Sequence, residues 1–429
     1  MRLRLGEYDK NILKLFSGTA MAQAISFLII PVIAKQFGPA EYGIYAGFLA
    51  SISILSILST GKYELAIMLP DTENEVIDLM HLCNWINLAV CGIIAIFMIA
   101  LPLDFLNSIF GIKDKHRWIF LIIPIATYLL SSFQILNYWL VREKKFTVLS
   151  LNKILRSVLF GAFAVSIGFF FPTAIFLASA LTLSHLFSNL FLRYKIKTIE
   201  MKSSLSISTE QRAQYQNVGK KYAKFPMYIL PAELMNVLCA QMPVFVFLWL
   251  FNPKDSGYFS FILTLLNIPI SLLAGAILDV FKERAAKDYR ETGSCQEAYL
   301  STLKKMLAIS VFPFILLYLF GDHFIVLLFG NQWAPAGKFL DILLFMFFFK
   351  FISSPLSFIF YIVHKQKEDF IWHIYILFST ALVLYTGAVI YKDILLTVKL
   401  YAINFSIIYI IYLVRSFQLS KKRALVSDI

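Results

Sequence analysis

The sequence is short of charge. Of its 429 residues only 15% are Asp, Glu, Lys or Arg, whereas 59% are apolar. A water-soluble chain carries roughly 25% charged residues, so an ordinary soluble enzyme is excluded. Cysteine is scarce too. Cys83, Cys91, Cys239 and Cys295 form no C-x-x-C pair and three of them lie in apolar runs, so neither a disulfide framework nor a thiolate zinc site is expected. The six histidines are scattered and no G-x-x-x-x-G-K-[ST] loop occurs. That leaves no case for a transport ATPase or a metalloenzyme, and no cofactor is expected. Ten-residue stretches of alternating polarity are also missing, which excludes a membrane β-barrel.

What is present is apolar sequence in long runs. At about 20 residues per crossing, 59% of 429 residues suffices for about twelve helices. Breaks at charge, Gly or Pro delimit twelve spans: 11–36, 43–68, 76–102, 118–140, 147–171, 173–194, 222–250, 257–281, 302–329, 339–363, 370–391 and 394–415. The start Met1-Arg-Leu-Arg-Leu with Ala20-Met-Ala resembles a secretory signal, but the apolar run continues to Ala34. It is too long for a signal's core and reads as the first spanning helix. The fold class expected is therefore an all-α integral membrane protein.

Basic residues set the orientation. With the N-terminus inside, the outer loops hold only Lys35, Lys113, Lys115, Arg117, Lys254, Lys338 and Lys392 of the thirty-nine Lys and Arg; Lys350 and Lys399 lie within spans. The other thirty fall at inner ends and loops, among them Arg142, Lys144, Lys145, Arg193, Lys195, Lys197, Lys421, Lys422 and Arg423. Both termini are expected to be cytoplasmic. The net charge of +13 is thereby explained by topology, without a nucleic-acid partner.

The chain also repeats itself. Phe37-Gly-Pro-Ala-Glu-Tyr-Gly-Ile-Tyr45 recurs 214 residues later as Phe251-Asn-Pro-Lys-Asp-Ser-Gly-Tyr-Phe259, each copy between the first and second span of a six-span half. Ile109-Phe-Gly111 and Leu328-Phe-Gly330 extend the match. Six is even, so the halves enter the membrane from the same side as parallel repeats. The expected organisation is an N-terminal lobe over 1–194, a polar linker over 195–220, and a C-terminal lobe over 221–429 with a short basic tail. Two such lobes are the plan of a transporter.

Phe37-Gly-Pro-Ala-Glu-Tyr-Gly followed by Gly61-Lys-Tyr-Glu-Leu-Ala-Ile-Met-Leu-Pro70 resembles the oligosaccharide repeat-unit flippases of bacterial O-antigen and capsule synthesis. These belong to the multidrug/oligosaccharidyl-lipid/polysaccharide exporter superfamily. Phe225-Pro-Met-Tyr-Ile-Leu-Pro-Ala-Glu-Leu-Met-Asn236 and Gly275-Ala-Ile-Leu-Asp-Val-Phe-Lys-Glu-Arg-Ala-Ala286 are similar to the family's pattern around the seventh and eighth helices. The resemblance implies a V-shaped twelve-helix fold in the bacterial inner membrane. It also implies movement of an undecaprenyl-diphosphate-linked sugar unit to the outer leaflet, with membrane lipids, a polysaccharide polymerase and chain-length proteins as partners.

A buried charge in a spanning helix is expensive and marks a candidate site. Lys350 sits mid-span in Leu343-Leu-Phe-Met-Phe-Phe-Phe-Lys-Phe-Ile352, too deep to snorkel, and is expected either to face the inter-lobe cavity as a diphosphate ligand or to form a structural pair with a carboxylate. Lys399 lies six residues into the twelfth span, where it either joins that site or snorkels outward. Asn152, Lys153 and Arg156 share a helical face and either receive the diphosphate or reach headgroups. Lys62 and Glu64 are expected near the inner end of the second span as ligand and gating acid, or as an anchor. Glu233, beside Pro231 and followed by Asn236, is the acid placed deepest; it is expected at the lobe interface as the coupling or gating group, for H⁺ or Na⁺, or as a latch. Asn236 is added to the substrate-binding set.

Three functions compete. A lipid-linked oligosaccharide flippase suits several deep cations. A cation-coupled multidrug antiporter of the same superfamily would favour deep acids, yet the first span offers Gln23 and no carboxylate. A membrane polymerase or glycosyltransferase needs a sizeable outer loop with catalytic groups; the longest here, Leu103 to Arg117, is short and carries only Asp104 and Asp114. No enzyme is expected.

Overall fold

The computed structural model describes residues 7–111, 118–196 and 209–421. The starting basic segment, the outer basic residues Lys113, Lys115 and Arg117, linker residue Lys197 and tail residues Lys422 and Arg423 lie outside them.

Unit one of the chain contains α1 (Glu7–Gln36), α2 (Pro39–Thr60), α3 (Glu73–Ala100), α4 (Leu103–Phe110), α5 (Trp118–Arg142), α6 (Phe146–Phe170), α7 (Ala174–Lys195), α8 (Thr209–Lys221) and α9 (Leu230–Leu250). Unit two contains α10 (Pro253–Pro269), α11 (Gly275–Thr292), α12 (Gln296–Phe329), α13 (Ala336–Leu356), α14 (Ile359–Ile362), α15 (Gln366–Tyr385) and α16 (Ile394–Ser420). No strand occurs among the described residues. Lipid offers no partner to a bare N–H or C=O, and helices satisfy these groups within each span. Twelve segments are long and apolar enough to cross a membrane, one for each span expected from the sequence. The protein is a multi-pass membrane protein.

Span ends differ where side chains cannot foretell backbone. The second span was expected to run to 68, but α2 stops at Thr60. Gly61 (φ +60°) and Lys62 (φ +61°) are both left-handed, and a 3-10 turn, Tyr63–Met68, follows. Lys62 and Glu64 therefore lie in that turn and do not interrupt a helix. The polar linker, read as a tether, contains α8, which packs on α3: Val218 and Tyr222 join the buried cluster of Leu79, Met80, Cys83 and Trp139. Lys221 pairs with Glu75, which raises the Lys221 pKa above its ordinary 10.5. Tyr63 Oη donates to the Gly219 carbonyl at 3.1 Å.

The compact units divide at Trp249 and Leu250, later than the linker. The reason is packing of the seventh span within unit one: Val244 and Leu248 of α9 bury against Ala46 and Ala50 of α2, and Trp249 Nε1 donates to the Ile109 carbonyl at 3.1 Å.

In unit one α2 and α5 are central, with 72% and 61% of their spanning windows buried, whereas α3 and α6 have 22% and 17% and present apolar side chains outward. α6 lies along α1, where a Cβ on Gly161 would overlap Ile29. Such close backbone approach is how helices associate in lipid, where hydrophobic burial contributes little. In unit two α13 is the most buried span and packs on α10, α12 and α16. Trp333 is fully buried and stacks on Phe261 with ring centres 4.1 Å apart.

The sequence repeat has a shared structural meaning. Each copy places proline at the first position of a helix, Pro39 in α2 and Pro253 in α10, where its missing N–H costs nothing. The acids are used differently. Glu41 Oε2 accepts from the Ala174 N–H at 2.6 Å, capping α7, whose own Thr173 provides no cap. In the second copy Asn252 caps its own helix through the Asp255 N–H, and α16 is capped by Asp393. Gly111 (φ +64°) and Gly330 (φ +95°) both end a helix with positive φ, but the first follows the separate α4 and the second ends the continuous 34-residue α12.

Candidate substrate and coupling sites

The turn after α2 is held rigidly. Arg142, at the end of α5, donates to the carbonyls of Ile67 (3.1 Å) and Pro70, fixing the far end of the 3-10 turn. At its near end Lys62 Nζ lies 3.7 Å from Glu64 Oε1. Glu64 is 1% exposed, and its Oε2 has no hydrogen-bond partner among the described residues. A carboxylate that is buried with one free oxygen costs free energy that a single long ion pair does not recover. Tyr138 of α5 lies within electrostatic reach of both Glu64 and Glu233, so these two acids are drawn toward one region of unit one. Glu233 is half-buried in the first turn of α9, just after the π-helical turn Phe225–Ile229. Asn236 is exposed on the same helix.

The shared face expected of Asn152, Lys153 and Arg156 breaks into three directions. Asn152 Oδ1 accepts from Ser188 of α7 at 3.0 Å. Lys153 Nζ donates to Thr19 Oγ1 of α1 at 3.0 Å. Arg156 places its guanidinium over the Phe133 ring of α5, 4.9 Å from the centroid. Lys153 and Arg156 thus do not form one two-pronged ligand. The physical reason is helical: adjacent positions are about 100° apart, and α6 has a different neighbour on each side. Arg156 has no carboxylate or hydrogen-bond acceptor among the described residues; the buried His185 of α7 lies within its electrostatic reach.

In unit two, Lys350 of α13 donates to Asn267 Oδ1 of α10 at 2.7 Å and stands over the Phe347 ring at 5.0 Å. No carboxylate pairs with it among the described residues. Lys399 is exposed on α16 and is not brought to Lys350 by any recorded contact. Phe133, Phe347 and Asn267 are the partners that sequence reasoning did not assign to the deep cations. Asn267, two residues before Pro269 in an apolar helix, was the only one with a visible signal.

A family model described as "Polysaccharide biosynthesis protein" matches residues 32–338, most of the chain. The chain belongs to this family. No curated protein matches it in sequence. Solved structures share its fold. One, described as the lipid II flippase MurJ in an inward closed conformation, is 14% identical, with a TM-score of 0.73 over 95% of this chain and 90% of that one. Another, an inward-facing multidrug resistance MATE family transporter of the MOP superfamily, is 17% identical, with a TM-score of 0.69 over 93% and 94%. A third, a MOP superfamily transporter from Pyrococcus furiosus described as having a binding pocket of reverse polarity, is 15% identical with a TM-score of 0.53 over 96% and 94%. At these identities the likeness concerns the fold, and the side chains that differ carry the functional argument.

Proposed function

We propose that this protein is a flippase that moves an undecaprenyl-diphosphate-linked oligosaccharide repeat unit from the inner to the outer leaflet of a bacterial cytoplasmic membrane by alternating access, with both termini cytoplasmic. It carries out transport and no covalent chemistry. The observation that carries the reading is that each unit holds cations within its spanning helices on neutral partners: Lys153 on Thr19 and Arg156 on the Phe133 ring in unit one, Lys350 on Asn267 and the Phe347 ring in unit two. A cation in a spanning helix with no carboxylate beside it has no acid to compensate it, and a bound anion can supply that counter-charge. A diphosphate supplies that anion, and charge-assisted contacts to it are roughly twice as strong as neutral ones. Lys62, Lys153, Lys399 and Asn236 are assigned secondary contacts to the diphosphate or sugars.

Glu64 and Glu233 are assigned the coupling or gating step, with H⁺ or Na⁺ as the coupled ion. The buried, half-partnered Glu64 is also what favours the second reading, a cation-coupled multidrug antiporter. Proteoliposomes containing the purified protein decide between them. A fluorescent prenyl-diphosphate oligosaccharide should become accessible to an outer-leaflet quencher with wild type and not with Lys350→Ala, whereas an organic cation should not be moved. Transport of the cation without movement of the lipid-linked sugar by wild type would overturn the flippase reading, whereas full activity of Lys350→Ala on the lipid-linked sugar would remove Lys350 from the site.

A further inference from the structure

Near the end of α10 an apolar helix carries a polar stripe. Thr264 and Asn267 are three residues apart and Ser271 follows in the π-helical turn Ile270–Ala274. Thr264 and Ser271 are exposed and Asn267 is half-buried, so this side of the helix is not packed core. Pro269 lacks the N–H that would bond one turn back, and the helix widens to the π form directly after it. Such widenings recur at functional sites.

The Asn267 amide is fixed at both ends. Its Nδ2 donates to the Leu263 carbonyl at 2.7 Å, and its Oδ1 accepts from Lys350 Nζ at 2.7 Å. The opposite flip would set an NH₂ against an ammonium and a carbonyl against a carbonyl, so the orientation is determined. An ammonium has three donors, and Asn267 takes one. Asparagine and aspartate are nearly identical in shape, and here that choice matters: an aspartate would pair with the lysine and cancel its charge while losing the bond to the Leu263 carbonyl, whereas the amide holds the lysine and cancels nothing.

We propose that Asn267 is a positioning and specificity-determining residue, which aims the Lys350 ammonium at a phosphate oxygen of the substrate and keeps its charge uncompensated, so that unit two selects anionic ligands. This rests on the diphosphate-transport reading above. It extends that reading by naming the residue that sets the sign of the ligand.

The test uses the purified full-length protein in detergent, with inorganic pyrophosphate, a short-chain prenyl diphosphate and the tetraphenylphosphonium cation as probes. Asn267→Asp should weaken binding of the prenyl diphosphate by roughly ten- to a hundredfold, the value of one charge-assisted hydrogen bond, and tighten binding of the organic cation, measured on protein that remains folded in detergent. Asn267→Gln should stay within a few-fold of wild type. If Asn267→Asp does not fold, Asn267→Ala decides: weakened diphosphate binding that Gln restores supports the proposal, and unchanged binding overturns it. Wild-type affinity in Asn267→Asp alongside a loss in Lys350→Ala would overturn the role of Asn267 while leaving the diphosphate reading intact. Equal losses in Asp and Gln would mark a packing role and overturn it as well. Absence of prenyl diphosphate binding to wild type would overturn both. Binding of the prenyl compound without binding of inorganic pyrophosphate identifies the lipid-linked form as the source of the anion and supports both.

Discussion

Replacing Arg156 by Met separates a structural cation from one held for substrate. Methionine keeps most of the side-chain length and removes the charge. In the folded protein the guanidinium gains a cation–π contact with Phe133, worth about 0.5 to 2 kcal/mol. Against this stands the desolvation of an ion with no acceptor among the described residues, about several kcal/mol. The balance therefore favours the variant: Arg156→Met should leave the melting temperature in detergent unchanged or raised. Transport should behave in the opposite way. Loss of a charge-assisted contact to the diphosphate costs about 1.5 to 3 kcal/mol, so uptake of a fluorescent prenyl-diphosphate sugar into proteoliposomes should fall roughly ten- to a hundredfold. Lys should restore part of the activity, since it keeps the charge but loses the planar fork. A variant that melts earlier and transports in proportion to the protein that remains folded would refute the reasoning and make Arg156 a structural tie to α5.

Gly161→Leu should abolish membrane accumulation or lower thermal stability by about 1 to 3 kcal/mol, because its side chain must displace Ile29 at the α1 and α6 contact; normal expression and melting would refute that contact. Glu41→Ala should lower stability by about 1 kcal/mol through loss of the cap on Ala174, read as a lower melting temperature, while Glu41→Gln retains an acceptor and should lose less. Glu64→Gln should flatten the dependence of transport on external pH or sodium with folding preserved, because it removes the charge that Lys62 faces; an unaltered profile removes Glu64 from the coupling step. Lys221→Ala should loosen α8 from α3, measured as faster hydrogen exchange over 209–221. Because Glu75 raises the Lys221 pKa and Lys221 lowers that of Glu75, that attachment is present through neutral pH and is lost as pH rises past the ordinary lysine value or falls below the ordinary glutamate value.

The sequence by itself determined the twelve spans, the helical class and the places where two helices begin, because these depend on local terms. Lipid leaves a backbone no option but to satisfy itself within each segment. A proline at a helix start acts through its own ring, so Pro39 and Pro253 announce α2 and α10. The presence of Lys350 and Arg156 at depth was visible for the same reason, since depth follows from counting residues along a span. Partner choice was not. Nothing in the spacing of Asn152, Lys153 and Arg156 shows that α7, α1 and α5 each take one of them. Nor does Gly61-Lys-Tyr-Glu reveal that two left-handed residues end the helix and turn Glu64 into the core. The α8 segment reads as a polar tether because its apolar contacts, Val218 and Tyr222, acquire meaning only once α3 lies beneath them. Those outcomes rest on contacts between separate helices, 36 positions apart for Asn152 and Ser188 and 134 for Lys153 and Thr19, where the energy resides in which side chain meets which, and only the folded chain brings them together.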